Sequence, residues 1–269
     1  EMCIRDSLGA AQGVKAGAKL GDLIEIPLDP KRFGRIAAMS AKHVIRQGIR
    51  EAERGQLLAE YQSKQCDIVT ATVVKTDPRR GNVTVEIGRS EAILPKSEQV
   101  PGEEYKDGER IKVYVSDVIN GEKGPKIMIS RIHPGLVKRL FEMNIPEVYD
   151  GTVEIKSISR EAGVRSKVAV TSRDENVDAV GACIGPKGAR VNSIVDELGG
   201  EKIDVIRYSE DPAEFVAAAL SPASVLSVEI DPEVPRACRV VVPDHQLSLA
   251  IGNKGQNARL AAKLTGWKI

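Results

Sequence analysis

Two short glycine-containing segments have the residue types and the spacing to bind phosphate groups. Residues 184–188 read Ile-Gly-Pro-Lys-Gly, and residues 251–255 read Ile-Gly-Asn-Lys-Gly. Glycine allows the backbone to approach a phosphate closely, and a following helix offers free N–H groups at the positive end of its dipole. Lys187 and Lys254 occupy the same place in the two segments and add a positive charge. The shared pattern predicts a phosphate-binding loop at each position.

A bare Gly-x-x-Gly pattern is weak evidence, and the chain contains another one in NGEKGP, where Gly121 and Gly124 lie between two strand-like runs. The other two segments differ because each joins two helical patterns and follows an isoleucine. A single loop of this kind could be a tight turn without any ligand. Two loops with matching flanks favour binding of a phosphate backbone over the tight-turn interpretation.

Each loop lies within the same succession of predicted elements: a helix, two strands, a short helix, the loop, a second helix and a final strand. The first copy comprises residues 136–144, 151–158, 166–172, 177–184, 188–198 and 202–209. The second copy comprises residues 213–220, 224–231, 238–243, 245–251, 256–264 and the short segment 267–269. The loops lie 67 residues apart, which predicts an internal duplication of one α/β unit.

Two further regions precede the duplication. Residues 35–63 read as a helix with an apolar stripe through Ile45 and Ile49 and an arginine stripe that we interpret as a solvated face. Within residues 66–131, apolar and polar residues alternate with a period of two in five short runs. This pattern predicts five strands that form a small closed barrel of the OB type. A β-barrel without a ligand remains an alternative. A short strand is predicted within residues 20–34, and residues 1–13 carry no inference.

Composition limits the possible function classes. The four cysteines and three histidines are widely scattered, and no HExxH, GxSxG or GxxxxGK[ST] motif occurs. We therefore expect no catalytic residue, no metal ligand and no cofactor. The chain contains no long apolar run and no signal-peptide pattern, so we expect a cytoplasmic protein without a membrane span. A net charge of +1 argues against extensive nonspecific phosphate coating, and we interpret the basic run 156–173 as a solvated hairpin face.

An Ile-Gly-x-x-Gly loop that closes an α-β-β-α-α-β unit resembles the KH domain of type II topology, whose members bind about four nucleotides of single-stranded RNA or DNA. Aromatic residues make up 3% of the chain, which suits an aliphatic KH groove better than the aromatic platforms of an RRM. The residues that we expect to bind RNA are Ile184, Gly185, Pro186, Lys187, Gly188, Arg190, Ile251, Gly252, Asn253, Lys254, Gly255 and Arg259. Pro186 lacks an N–H group, so the second loop should offer one more backbone donor.

Residues 14–269 together resemble the NusA family of bacterial transcription factors. The resemblance depends chiefly on three segments: DAVGACIGPKGARVNSIVDELGGEKIDVI, EDPAEFVAAALSPA and LAIGNKGQNARLAAKLTGW. It implies a multidomain α+β chain with four parts. These are a helical remnant of a polymerase-binding N-terminal domain (14–63), a five-stranded OB barrel (64–132), a first type II KH domain (133–209) and a second one (210–269), which ends within its last strand.

The same resemblance implies a non-catalytic, monomeric factor that joins RNA polymerase, holds nascent single-stranded RNA and modulates pausing, termination and antitermination, with other antitermination factors as further partners. The barrel departs from the expected pattern because only Tyr105 and Tyr114 are candidate base-stacking residues. Two other classes remain open. One is an RNA-binding module of an RNA-processing enzyme such as polynucleotide phosphorylase, and the other is a ribosome-associated KH protein.

Overall fold

The structure, a computed structural model, describes residues 16–17, 19, 34–121 and 124–269. The chain divides into two compact units, residues 1–56 and 57–269. Helix α1, Arg35–Gln62, confirms the helix predicted from the sequence, and its last turns belong to the second unit. Ile45 and Ile49 of its apolar stripe are exposed among the described residues. The strand predicted within residues 20–34 and the segment 1–13 lie outside the described residues.

Five strands after α1 close into a barrel in the order β1-β2-β3-β5-β4, which confirms the predicted OB architecture. The strands are β1 Ile68–Thr76, β2 Val83–Ile87, β3 Ser90–Leu94, β4 Arg110–Gly121 and β5 Gly124–Ser130. Alternate residues of β2, namely Val83, Val85 and Ile87, are buried because positions two apart share one face of a strand. Tyr61 from the end of α1 joins this core, and its hydroxyl donates to the Ile87 carbonyl oxygen at 2.6 Å.

The first repeat, which we define as residues 133–209, has the predicted order of elements. These are α2 Pro134–Asn144, α3 Pro146–Tyr149, β6 Val153–Glu161, β7 Arg165–Ser172, α4 Ala179–Ile184, α5 Ala189–Glu197 and β8 Lys202–Arg207. Strands β6 and β7 are antiparallel, and β7 and β8 are parallel. Leu140 and Phe141 of α2 and Ile194 of α5 are fully buried in the core of this repeat. Only the four-residue helix α3 was not predicted.

The second repeat, residues 210–269, follows the same order with shorter strands. Its elements are α6 Pro212–Ala219, β9 Ser227–Ile230, β10 Cys238–Val241, α7 Leu247–Ile251 and α8 Gln256–Thr265. Strands β9 and β10 pair in antiparallel fashion. Lys268 forms an isolated parallel bridge with Ala237, at the place where the sequence predicted a final strand. The mixed α+β class and the duplication are therefore confirmed.

The two repeats share one hydrophobic cluster. Ala169 and Ile206 of the first repeat pack in it with Phe215, Ala261 and Leu264 of the second. All five side chains are at most 7% exposed, so the sheet of the first repeat and the helices of the second exclude water between them. This shared core determines how the two loops are placed relative to each other.

None of the helices in the described part of the chain is long and apolar enough to cross a membrane.

Candidate nucleic-acid interface

The two predicted loops adopt the same backbone conformation. Gly185 and Gly252 have φ/ψ angles of 73°/175° and 75°/175°, a region that is open almost exclusively to glycine. Gly188 and Gly255 have angles of 78°/10° and 74°/16°, in the left-handed region. The four glycines are therefore required by backbone geometry, and the duplication seen in the sequence extends to the conformation of the loops.

A strained lysine lies between the glycines of each loop. Lys187 has φ/ψ angles of 53°/25°, and Lys254 has angles of 51°/31°. The left-handed region is costly for a residue with a Cβ atom, and such positions persist mainly at binding or active sites. Both lysines are exposed, so burial of the side chain does not explain the strain. A turn without a further role could use glycine or asparagine at this place at lower cost.

Each loop leads directly into a helix whose first turn lacks a side-chain cap. Gly188 is the N-cap of α5 and Gly255 is the N-cap of α8, and neither can supply a side-chain acceptor. By contrast, the Asp178 carboxylate accepts from the Val180 and Gly181 N–H groups at the start of α4. An N-terminus without such a cap keeps donors and a positive partial charge available for an anion.

The isoleucines before the loops are surface residues at the ends of short helices. Ile184 ends α4 and is 37% exposed, and Ile251 ends α7 and is 46% exposed. Pro186 and Asn253, which follow the first glycine in each loop, are also exposed. The structure thus gathers residues 184–188 at one surface position and residues 251–255 at another, each with an apolar residue beside a backbone that suits an anion.

The two predicted arginines already have carboxylate partners. Arg190 is half-buried, and its Nη1 donates to Glu147 Oε2 at 2.8 Å and to the Ala182 carbonyl oxygen at 2.7 Å. Arg259 is more exposed, with Nη2 3.5 Å from Glu161 Oε2. The two are not equivalent in position, because Arg190 is the fifth and Arg259 the seventh residue after the first glycine of its loop.

The residue equivalent to Arg190 in the second repeat is Asn257, which the sequence interpretation missed. Asn257 is 3% exposed, and its Nδ2 donates to the carbonyl oxygens of Leu220, Ala250 and Leu249. Its spacing from Gly252, the same as that of Arg190 from Gly185, was the available signal.

The basic run 156–173 does not form a cationic surface. Its five basic residues, Lys156, Arg160, Arg165, Lys167 and Arg173, all form ion pairs. The side chains of Arg160 and Lys167 are only 1% and 0% exposed, paired with Glu201 and Asp204. Interpreting the run as a solvated hairpin face is therefore wrong for these two residues. Three carboxylates, those of Glu154, Glu201 and Asp204, thus offset most of the positive charge of the run.

The two barrel tyrosines that were candidates for base stacking already contact other residues of the chain. Tyr114 is 7% exposed, packs in the core of the first repeat and stacks on His133 with ring centroids 4.6 Å apart. Burial, followed by the neighbouring Cys66, raises the pKa of Tyr114 to about 12. The hydroxyl of Tyr105 donates to Glu103, and its half-buried ring packs against the barrel core. Tyr114 is therefore not free to accept a base, and Tyr105 exposes only part of its ring.

Within residues 34–121 and 124–269, no group of three or more His, Cys, Asp or Glu side chains is placed to hold a metal ion.

An OB-type barrel followed by two α/β repeats, each with an Ile-Gly-x-Lys-Gly loop before an uncapped helix, defines a nucleic-acid-binding protein of the tandem KH class. Comparison with family models gives the same order of domains along the chain. Matches are found to the NusA N-terminal domain at residues 5–55, the S1 RNA binding domain at 64–130, the NusA-like first KH domain at 131–208 and the NusA-like second KH domain at 212–269. The chain belongs to the NusA family, as the sequence predicted.

Several curated relatives carry the name transcription termination/antitermination protein NusA. The protein from Halalkalibacterium halodurans is 56% identical over 263 residues, which cover 98% of this chain and 68% of the relative. The Bacillus subtilis protein is also 56% identical over 263 residues and is covered to 70%. The Thermus thermophilus protein is 49% identical over 251 residues, which cover 93% of this chain and 64% of the relative.

Proposed function

We propose that this chain is a non-catalytic transcription factor that binds RNA polymerase and nascent single-stranded RNA and thereby modulates pausing, termination and antitermination. The name of its relatives supports the role in termination and antitermination, and the S1 and KH matches support binding of RNA. We place it in the cytoplasm as a monomer, with other antitermination factors as further partners.

In this proposal, different domains of the chain bind RNA polymerase and RNA. Residues 14–63 belong to a domain that docks on RNA polymerase, and the match to the NusA N-terminal domain supports this assignment. The barrel, 64–132, and the two KH domains, 133–209 and 210–269, form the array that holds the transcript. Co-purification of RNA polymerase with the chain, and its loss when residues 1–56 are removed, tests the docking assignment, because this deletion keeps Tyr61 in the barrel core. Retention of polymerase by the shortened chain would contradict it.

The observation that carries the RNA assignment is the identical strained backbone of the two loops. The proposed contacts to the phosphate backbone are Gly185, Lys187, Gly188, Gly252, Asn253, Lys254 and Gly255, with Ile184 and Ile251 as groove walls. Pro186 supplies no N–H group, so the second loop has one more backbone donor. Arg259, on the helix α8 that follows the second loop, adds a cation whose guanidinium lies 3.5 Å from the Glu161 carboxylate.

Replacing the two central residues of each loop by aspartate tests this assignment. The variants are Pro186→Asp with Lys187→Asp, and Asn253→Asp with Lys254→Asp. Aspartate tolerates the left-handed conformation better than most residues and favours a helix N-terminus, so the melting temperature should be maintained. RNA affinity should fall by about 1–3 kcal/mol for each loop, because a carboxylate would stand where a phosphate must bind. The four-residue variant should lose more than either alone.

Two controls make the experiment specific. Lys187→Asn and Lys254→Asn suit the same backbone conformation without adding negative charge, so they should lose less affinity than the aspartate variants. Glu122→Asp with Lys123→Asp places aspartates in the hairpin NGEKGP, whose two central residues lie outside the described part of the chain, and should leave RNA binding unchanged. Unchanged affinity in both aspartate loop variants, with normal melting, would refute the assignment.

A further inference from the structure

The same side-chain to carbonyl bond crosses both loops. The fifth residue after the first glycine is Arg190 in one repeat and Asn257 in the other. Arg190 Nη1 donates to the Ala182 carbonyl oxygen at 2.7 Å, and Asn257 Nδ2 donates to the Ala250 carbonyl oxygen at 3.1 Å and to that of Leu249 at 3.4 Å. Ala182 and Leu249 both lie three residues before the first glycine of the loop. Each bond therefore joins the helix after the loop to the end of the helix before it.

A second bond ties each of these side chains to the N-terminal helical segment of its own repeat. Arg190 Nη1 donates to Glu147 Oε2 on α3 at 2.8 Å, and Asn257 Nδ2 donates to the carbonyl oxygen of Leu220, the C-cap of α6, at 2.9 Å. The chemistry differs, since the first tie is a charged pair with side chains 30% and 31% exposed and the second is a buried neutral amide. In each repeat the tie reaches a helical segment that precedes the strands, although α3 and α6 are not equivalent elements.

The side chain also packs against the first glycine of the loop. A Cβ atom added at Gly185 would lie 2.7 Å from Arg190 Cγ, and one added at Gly252 would lie 2.9 Å from Asn257 Cβ. These distances are well below van der Waals contact, so the loop and the anchoring side chain occupy adjoining space without a gap. The loop is thus held from its inner side by one residue in each repeat.

We infer that Arg190 and Asn257 are positioning residues, which hold the loops in the strained conformation that receives the phosphate backbone and do not themselves contact RNA. This inference rests on the proposed function of the loops. It assigns Glu147 a role as well, because the first loop depends on a partly exposed ion pair, whereas the second depends on a buried hydrogen bond between neutral groups. The affinity of the first loop for RNA should therefore depend on the charge at position 147. The affinity of the second loop should not depend on that charge.

Glu147→Gln separates a positioning role from a direct contact, because the two predict opposite signs. If Arg190 bound a phosphate directly, removal of the competing carboxylate would free its guanidinium and strengthen RNA binding. A positioning role predicts that Glu147→Gln weakens binding about threefold to tenfold, as does Arg190→Met. The double variant should bind about as well as Arg190→Met alone, since both changes act on the same tie, which Glu147→Gln weakens by removing its charge and Arg190→Met breaks. Stronger binding by Glu147→Gln would overturn the inference.

The salt dependence of binding gives a second readout that a loss of stability would not change. A residue that neutralises one phosphate of a single strand contributes about 0.7 to the slope of log K against log salt. The positioning role predicts the same slope for Arg190→Met and the unchanged chain, measured below the melting temperature of both. A slope reduced by about 0.7 would identify Arg190 as a direct phosphate ligand and overturn the inference.

Backbone relaxation of the RNA-free chain tests the anchoring itself. Arg190→Met and Glu147→Gln should increase fast motion of the Lys187 and Gly188 amides, and Asn257→Ala should do so at Lys254 while leaving Lys187 unchanged. Unchanged loop amides in Glu147→Gln and Arg190→Met would overturn the inference. If the amides become mobile but the aspartate loop variants bind RNA normally, the anchoring is supported and the proposed RNA site is refuted.

Discussion

The buried ammonium group of Lys167 in the first repeat donates a hydrogen bond to the carbonyl oxygen of Ser221 in the second repeat, at 2.7 Å. The same nitrogen lies 3.2 Å from Asp204 Oδ2, and the lysine side chain is 0% exposed. Burial lowers the pKa of Lys167, and the Asp204 carboxylate opposes that shift. A buried polar contact of this kind, beside the apolar core that the repeats share, fixes the direction in which the two repeats meet.

We expect the two repeats to tumble as one rigid body. The chain between β8 and α6 is only four residues long, and the shared core around Phe215 and Leu264 leaves little freedom between the repeats. NMR relaxation of residues 133–269 within the whole chain should give one rotational correlation time for both repeats. Two distinct correlation times would show that the shared core does not hold in solution.

RNA binding should depend only modestly on salt. The cations of the basic run 156–173 are held in ion pairs, and the net charge of the chain is only +1, so we expect phosphate contacts to be concentrated at the two loops. With roughly three to five phosphates neutralised, the slope of log K against log salt should be about −2 to −4. Titration at several salt concentrations measures it directly. A slope near about −10 would reveal a large basic surface elsewhere in the chain.

Alanine at the first glycine of each loop should destabilise the fold, and more strongly in the second repeat. Both positions have angles that only glycine adopts easily, which costs about 1–3 kcal/mol for another residue. At Gly252 the new Cβ would also lie 2.8 Å from the Asn257 backbone nitrogen, whereas at Gly185 it meets only the Arg190 side chain. Denaturant unfolding should therefore rank Gly252→Ala below Gly185→Ala in stability.

Gly255→Ala is the matched control for these two variants. Gly255 has a left-handed φ of 74°, but a Cβ atom there meets nothing within 4 Å. Its replacement should cost only the left-handed backbone term, about 1–2 kcal/mol. If Gly255→Ala were as damaging as Gly252→Ala, the steric part of the argument would be wrong.

Cys183 should resist alkylation as long as the first repeat is folded. Its side chain is 0% exposed, and burial raises the pKa of the Cys183 thiol from 9.0 to about 12. The thiolate is the reactive form, so the exposed Cys66 should be labelled first and Cys183 only on unfolding, as peptide mapping would show. Early labelling of Cys183 in the native chain would contradict the burial of α4.

The same shift has a consequence for stability at high pH. Between pH 9.0 and about 12 the thiol of the unfolded chain loses its proton while that of the folded chain keeps it. The folded state then binds more protons, so this group makes the free energy of unfolding fall as the pH rises through that window. Cys183→Ala should remove this contribution, and denaturant unfolding of both chains across the window would measure the difference.

The order of elements in the repeats could be predicted because its signals are local. Helix α5, for example, has a 3.6-residue apolar period and begins directly after Gly188. The environment of the basic run could not be predicted, because Arg160 pairs with Glu201, which lies 41 residues further along the chain. A count of charges within residues 156–173 alone omits the acids that neutralise them. Helix α3 was missed because it is only four residues long.

Within the candidate site, the glycines and lysines could be predicted from their repeated spacing, whereas the strain of the loops could not. Nothing in the local sequence indicates that Lys187 has a positive φ, since that angle depends on how the folded chain holds the loop, a role that we assign to Arg190. Asn257 was missed because its chemistry differs from that of Arg190, although its position relative to the loop is the same.

The shared core between the repeats bears on which RNA structures the chain can accept. Since the packing of Ala169 and Ile206 against Leu264 fixes the distance between Gly185 and Gly252, a transcript held by both loops must span one set length. A strand that folds into a base-paired stem across this interval can no longer reach both loops. If both loops hold one transcript as proposed, their occupation and stem formation in the same stretch of that transcript exclude each other, so the proposed site would compete directly with RNA folding.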